Sequence, residues 1–230
     1  MSVAGNLAQA RERIAAACAR TGRDPAGVRV LAVSKTQPAT MVEEAIAAGV
    51  DAIGENRVQE AAAKRPAVRG KAVWHLVGPL QRNKAALAIE LFDLIETVER
   101  VELADRLESL LATRQQRLSV FLEVNIGGEE QKSGVAPAGA AALAAHVIER
   151  CPSLRLEGLM TVPPYHPEPE RSRPYFAVLR QLAAVLASRF GLPPLELSMG
   201  MSEDYAVAVE EGASWVRLGR ALFGARHVAT

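Results

Sequence analysis

Residues 28–56 read VRVLAVSKTQPATMVEEAIAAGVDAIGEN, and this stretch decides the fold. VRVLAVSK (28–35) is rich in β-branched and apolar residues, the composition of a buried strand. Pro38 suits the first turn of a helix and Gly49 suits its stop, which brackets an Ala-rich helix over 38–48. AIGEN (52–56) then reads as a second strand. Strand, helix and strand in so short a span is the building unit of a parallel sheet.

Working outward, the same alternation fills the chain. The further strand runs are AVWHLVG (72–78), DLIETV (93–98), SVFLEVNI (119–126), LRLEGLMTV (154–162), ELSMG (196–200) and WVRLG (215–219), which makes eight. Between them lie helical stretches at 57–64, 82–91, 99–116, 137–150, 170–190 and 203–211. A short piece at 220–226 follows the last strand, and an amphipathic helix at about 3–20 precedes the first. Thr97 and Ser202 are placed to cap helix N-termini, and Gly212 to stop the helix after Ser202. The economical solution is an α/β fold: one domain over residues 1–230, a closed (β/α)8 TIM barrel with an extra N-terminal helix. The rival, an open doubly wound sheet, is missing its usual nucleotide fingerprints. There is no GxGxxG after the first strand and no GxxxxGK[ST] anywhere.

Charge and cysteine content narrow the function classes. Twenty-seven Lys and Arg against 26 Asp and Glu leave +1, so the basic excess that nucleic-acid binding needs is missing. No stretch approaches the roughly 20 apolar residues that span a bilayer. Arg11, Glu12 and Arg13 stand where a signal peptide would need its apolar run, so a cytoplasmic protein with no membrane partner is expected. Two cysteines, Cys18 and Cys151, exclude a disulfide scaffold and a Cys-rich zinc site. They read as small buried apolar residues.

In such a barrel the chemistry gathers at the C-terminal ends of the strands. Lys35 ends the first run, Asn56 the second, and His75 sits inside the third. Glu123 and Asn125 share a face near the end of the fifth, and Arg217 lies near the end of the eighth. Closure makes the eighth strand a neighbour of the first, so Lys35 and Arg217 should end adjacent strands. An apolar core does not accept such groups unless they are paired. An ordinary lysine has a pKa of about 10.4. A cationic neighbour and partial burial would favour its neutral, nucleophilic amine. A solvated strand-end lysine and a satisfied core histidine at His75 are the plainer alternatives.

Two further motifs fit an anion. SMGMSEDY (198–205) combines small hydroxyl residues, Gly200 and a helix start, and RLGRALFG (217–224) places a glycine before a short helix after strand eight. Phosphate sites in these barrels often follow strands seven and eight. WHLVGPLQRNK (74–84) adds a Gly78-Pro79 turn and a polar cluster of Gln81, Asn83 and Lys84. The four histidines show no metal-ligand spacing, so no metal is expected. PPYHPEPERSRP (163–174) reads as a mobile surface connection. An imine-forming lysine, an anion cradle and a cationic partner together suit pyridoxal 5′-phosphate (PLP).

At these residues the chain resembles the pyridoxal-phosphate homeostasis protein family over residues 5–225. The motifs, in order, are AVSKTQPA (32–39), GENRVQE (54–60), WHLVGPLQRNK (74–84), VNIGGEEQKSGV (124–135), GLMTVPP (158–164), LSMGMSEDY (197–205) and VRLGRALFG (216–224). Ile53 stands where an aromatic is common in the family.

The resemblance implies the PLP-binding barrel of alanine racemase, with PLP on Lys35 as an internal aldimine. The segment Ser198, Met199, Gly200 to Ser202, together with Gly219 and Arg220, would hold the phosphate. Arg217 would face the pyridine nitrogen and keep it unprotonated. Asn56, His75, Met160 and Thr161 would line the ring region. Alanine racemase carries a second, β-rich domain and works as a dimer. A chain of 230 residues leaves room for the barrel alone, so an open site lacking one proton-transfer partner is expected.

The resemblance further implies a non-catalytic PLP carrier or regulator that influences amino-acid and keto-acid balance, with PLP-dependent apoenzymes as recipients. A racemase-like PLP enzyme and a Schiff-base aldolase without PLP are the alternatives. The balanced charge and the absence of a long exposed apolar helix favour a monomer.

Overall fold

A computed structural model describes residues 2–224 of the chain. The eight expected strands are present: β1 (Arg29–Val33), β2 (Ala52–Glu55), β3 (Trp74–Leu76), β4 (Leu94–Val98), β5 (Leu118–Glu123), β6 (Leu154–Met160), β7 (Glu196–Ser198) and β8 (Trp215–Leu218). They pair in parallel, each with its chain neighbour, and β8 pairs with β1 to close the barrel. The helices α1 (Val3–Thr21), α2 (Ala39–Ala48), α3 (Val58–Lys64), α4 (Ala85–Leu91), α5 (Val101–Arg114), α6 (Pro137–Arg150), α7 (Arg173–Phe190), α8 (Tyr205–Glu210) and α9 (Arg220–Phe223) complete it. The closed (β/α)8 barrel with a preceding helix is therefore the fold.

Strand parity sorts the side chains into two sets, because successive residues face opposite sides of a sheet. Val30, Ala32, Ile53, Leu76, Ile95, Val120, Leu122, Leu159, Leu197, Val216 and Leu218 join the core between sheet and helices. Leu31, Ala52, Leu94, Phe121, Met160 and Trp215 form a separate apolar plug inside the barrel. Two residues further along the same strands stand Val33, Gly54, Glu96, Glu123 and Arg217 on the same inner face. The plug is thus the floor on which a polar layer rests.

Several boundaries differ from the sequence expectation. Helix α2 stops at Gly49 in the left-handed conformation, as expected, but Pro38 is its N-cap rather than part of its first turn. Thr97 caps no helix. It is the fourth residue of β4, and its hydroxyl donates to the Gly78 carbonyl at 2.9 Å, while Arg100 precedes α5. Asp204, not Ser202, precedes α8, and its carboxylate accepts from the Met201 N–H at 2.7 Å. Gly212 lies one residue past the α8 cap, at a positive φ of 103°. Asn125 falls beyond the end of β5, in a loop where its amide donates to the Glu129 carbonyl at 2.9 Å, so it does not share a strand face with Glu123. The 163–174 connection contains a 3-10 turn at Pro169–Ser172 that leads into α7. Of the expected piece at 220–226, Arg220–Phe223 is helical, and 225–226 lie outside the described residues. Both cysteines are buried and unbridged, as expected. No described helix is long and apolar enough to cross a membrane.

Candidate functional site

A cavity of about 310 Å³ opens at the C-terminal end of the barrel. Lys35, Asn56, Ser202, Arg217, Gly219 and Arg220 line it, together with Val33, Thr36, Gln37, Val77, Val162, Tyr165, Met201, Glu203, Phe223 and Gly224. Its size falls within the range of small-molecule sites. Lys35 lies just past the end of β1 and is half-buried. Leu31 of β1 is in register with Arg217 of β8, so closure brings the lysine and the arginine to one cavity, as expected.

Arg217 is fixed from below. It is 4% exposed, and burial pulls its pKa down from the usual arginine value while Glu96, Asp204 and Glu123 oppose that shift. One guanidinium nitrogen donates to Ser198 Oγ at 2.8 Å and the other to the Thr161 carbonyl at 2.7 Å. Ser198 Oγ donates in turn to Glu96 Oε2 at 2.5 Å, and Glu96 Oε1 hydrogen-bonds His75 Nδ1 at 2.7 Å. The edge of the His75 ring meets Trp215, with centroids 4.7 Å apart. The result is one continuous polar chain from β3 through β4 and β7 to β8. A buried guanidinium is tolerated only with such a full set of partners.

This chain relocates several residues singled out in the sequence. His75 and Ser198 lie within it, buried beneath the cavity rather than in its wall. The inner-face parity of β7 is the reason: Ser198 points into the barrel, where its hydroxyl hydrogen-bonds Arg217 and Glu96. Met160 belongs to the apolar plug, and Met199 packs into the outer core. Gly200 supplies backbone shape: at φ 87°, an added Cβ would fall 2.5 Å from the Ala208 Cβ. Ser202 does face the cavity, and its hydroxyl also accepts the Ala221 N–H at 3.0 Å, tying the β7–α8 turn to α9. Arg220 lines the cavity with its guanidinium 2.8 Å from Glu203.

Among the described residues, four buried side-chain oxygens have no hydrogen-bond partner: Glu55 Oε2, Asn56 Oδ1, Glu123 Oε2 and Glu129 Oε2. Asn56 Oδ1 is buried without a hydrogen-bond partner on a residue that lines the cavity. Glu123 is 8% exposed with one carboxylate oxygen unpartnered, and its pKa is pushed up to about 7. Burial is the main cause, Glu99 and Glu96 add to it, and Arg217 opposes it.

Sequence reasoning passed over Glu55, Glu60, Lys64 and Glu96. Glu96 had a readable signal: an acid two residues after Leu94 on the inner face of an apolar strand. Tyr165 was likewise left in a surface loop, yet it stands 73% exposed at the cavity mouth.

Comparisons with known proteins give the family. Residues 5–227 match the family described as alanine racemase, N-terminal domain. A pyridoxal phosphate homeostasis protein of Pseudomonas aeruginosa is 44% identical over 98% of this chain and 96% of its own length. The corresponding Aquifex aeolicus protein is 40% identical over 98% of this chain and 99% of its own length. Among solved structures, PipY of Synechococcus elongatus with PLP bound is 36% identical at a TM-score of 0.84, covering 97% of this chain and 100% of its own. With a matched barrel domain and relatives this similar along nearly their full length, the chain belongs to the pyridoxal phosphate homeostasis protein family.

Proposed function

We propose that this protein holds PLP reversibly on Lys35, for buffering or delivery of the cofactor rather than for turnover of a substrate. The observation that carries the reading is the convergence of Lys35 and Arg217, from the two strands that close the barrel, on a single cavity. The polar lining fits the group: Asn56 carries an unpartnered buried oxygen, an acceptor, Ser202 offers a hydroxyl, and Gly219 and Arg220 line the same wall. The Synechococcus relative with PLP bound adds support.

Bound here, PLP supplies an aldehyde that an amine can take up and release. The residues of the chain do the rest. Lys35 provides the amine. Arg217, held by Ser198 and Thr161, presents only donors, because a guanidinium accepts no proton. A ring nitrogen facing it would therefore stay unprotonated. That arrangement permits exchange at the amine while giving little help to carbanion chemistry. Recipients would be PLP-dependent apoenzymes.

The test is borohydride reduction of the PLP-incubated protein followed by peptide mapping. The label is expected on Lys35, and Lys35→Ala should abolish it. A stoichiometric label elsewhere in Lys35→Ala would remove the assignment. Solvent deuterium incorporation at Cα of amino acids, well above that with free PLP, would instead establish an enzyme.

A further inference from the structure

Lys35 stands between two residues whose backbones are gripped by one partly buried ionic cluster. Lys64, the last residue of α3, is 8% exposed, and Glu55 is fully buried. The Lys64 ammonium donates to the Ser34 carbonyl at 2.7 Å, to Glu55 Oε1 at 2.5 Å and to Glu60 Oε1 at 3.1 Å. Ser34 Oγ donates to the same Glu55 oxygen at 2.6 Å. On the other side of Lys35, the Thr36 N–H donates to Glu60 Oε1 at 2.5 Å. One lysine and two carboxylates, carried by α3 and β2, therefore hold the residue before Lys35 and the residue after it.

A stable fold does not require this arrangement. Buried ion pairs are often replaced by apolar residues without loss of stability, since desolvating the charges offsets their attraction. An apolar trio cannot, however, make directed bonds to two backbone atoms. Such bonds are needed here, because Thr36 sits at a φ of 64°, a left-handed conformation that a β-branched residue avoids. Its neighbours must hold it there, and Glu60 does so through the Thr36 N–H.

On the reading of Lys35 as the attachment point, we infer that Lys64, Glu55 and Glu60 are positioning residues: they fix the Ser34 and Thr36 backbone so that Lys35 meets an aldehyde in the cavity at one set angle. In that capture the neutral Lys35 amine adds its lone pair to the aldehyde carbon. The aldehyde oxygen leaves as water with the two amine protons, and a C=N bond remains. The cluster acts on aim, and its loss therefore lowers the capture rate.

The experiment uses the full-length, PLP-free protein with PLP as the probe. Borohydride quenching and peptide mapping follow the rate of Lys35 labelling across pH, with thermal unfolding measured in parallel. The Glu60 side chain is 26% exposed, so its variants should fold. Glu60→Ala is expected to slow labelling about tenfold while lowering the melting temperature by only a few degrees. Glu60→Gln keeps a carbonyl acceptor for the Thr36 N–H and is expected to label at near the wild-type rate. Lys64→Met should slow labelling further; if it does not fold, the two Glu60 variants decide. Wild-type labelling by Glu60→Ala, or equal slowing by Glu60→Ala and Glu60→Gln, overturns the clamp and leaves the Lys35 assignment intact. Absence of label on Lys35 in the wild-type protein would overturn that assignment and the clamp with it.

Discussion

Glu123 holds its carboxyl inside the barrel with a pKa near 7, against an ordinary value of 4.5, mainly because burial penalises the charged form. The sign of the consequence follows directly. Between these two values the native protein keeps a proton that the unfolded chain has released, so stability falls as pH rises. The shift corresponds to roughly 3 kcal/mol across that window. Glu123→Gln cannot ionise, so it should flatten the slope. Thermal unfolding should show the variant several degrees more stable than wild type at pH 8 and indistinguishable from it near pH 4.5. An unchanged slope would mean that Glu123 titrates in the native protein as it does in the unfolded chain. The same interior explains why Glu96 carries no comparable orphan: both its oxygens are taken, by His75 and by Ser198.

Among the described glycines, the one in the turn after β3 has the least room for a side chain. A Cβ at Gly78 would lie 2.1 Å from the Asn56 carbonyl oxygen, which is backbone and cannot swing away. Gly78→Ala should therefore displace the end of β2, cost more than about 3 kcal/mol, and weaken ligand binding because Asn56 lines the cavity. Chemical denaturation together with PLP titration checks both effects. That the residue would be glycine was legible in WHLVGPLQRNK, as was the turn; the partner strand it touches was not. The contrast holds across the fold. Strand number, order and closure could be read from the alternation, because apolar period and turn residues are local signals. Lys35 and Arg217 could be placed together because closure makes their strands neighbours. What stayed hidden were cross-strand partners: the Glu96–Ser198 bond joins residues far apart in the chain, and no local pattern announces it. The cap assignments at Thr97 and Ser202 missed for the same reason, since both hydroxyls serve distant backbone groups, Gly78 and Ala221.

A ligand that binds the native state alone adds stability by mass action. PLP at a hundredfold excess over its dissociation constant should contribute about 2.7 kcal/mol, a rise of roughly 5 to 10 °C in the melting temperature of a protein this size. The rise should shrink in Lys35→Ala, and a melting temperature indifferent to PLP would count against the cavity as its site. Closure of the barrel has one more consequence, and it concerns biosynthesis. Lys35 follows the first strand, but Arg217 and Gly219 arrive with the last, and α1 packs against α8 and α9 beside the seam where the two strands meet. A ribosome-bound chain therefore carries Lys35 long before it has walls for a cavity. Only when translation has delivered the eighth strand can the pocket exist.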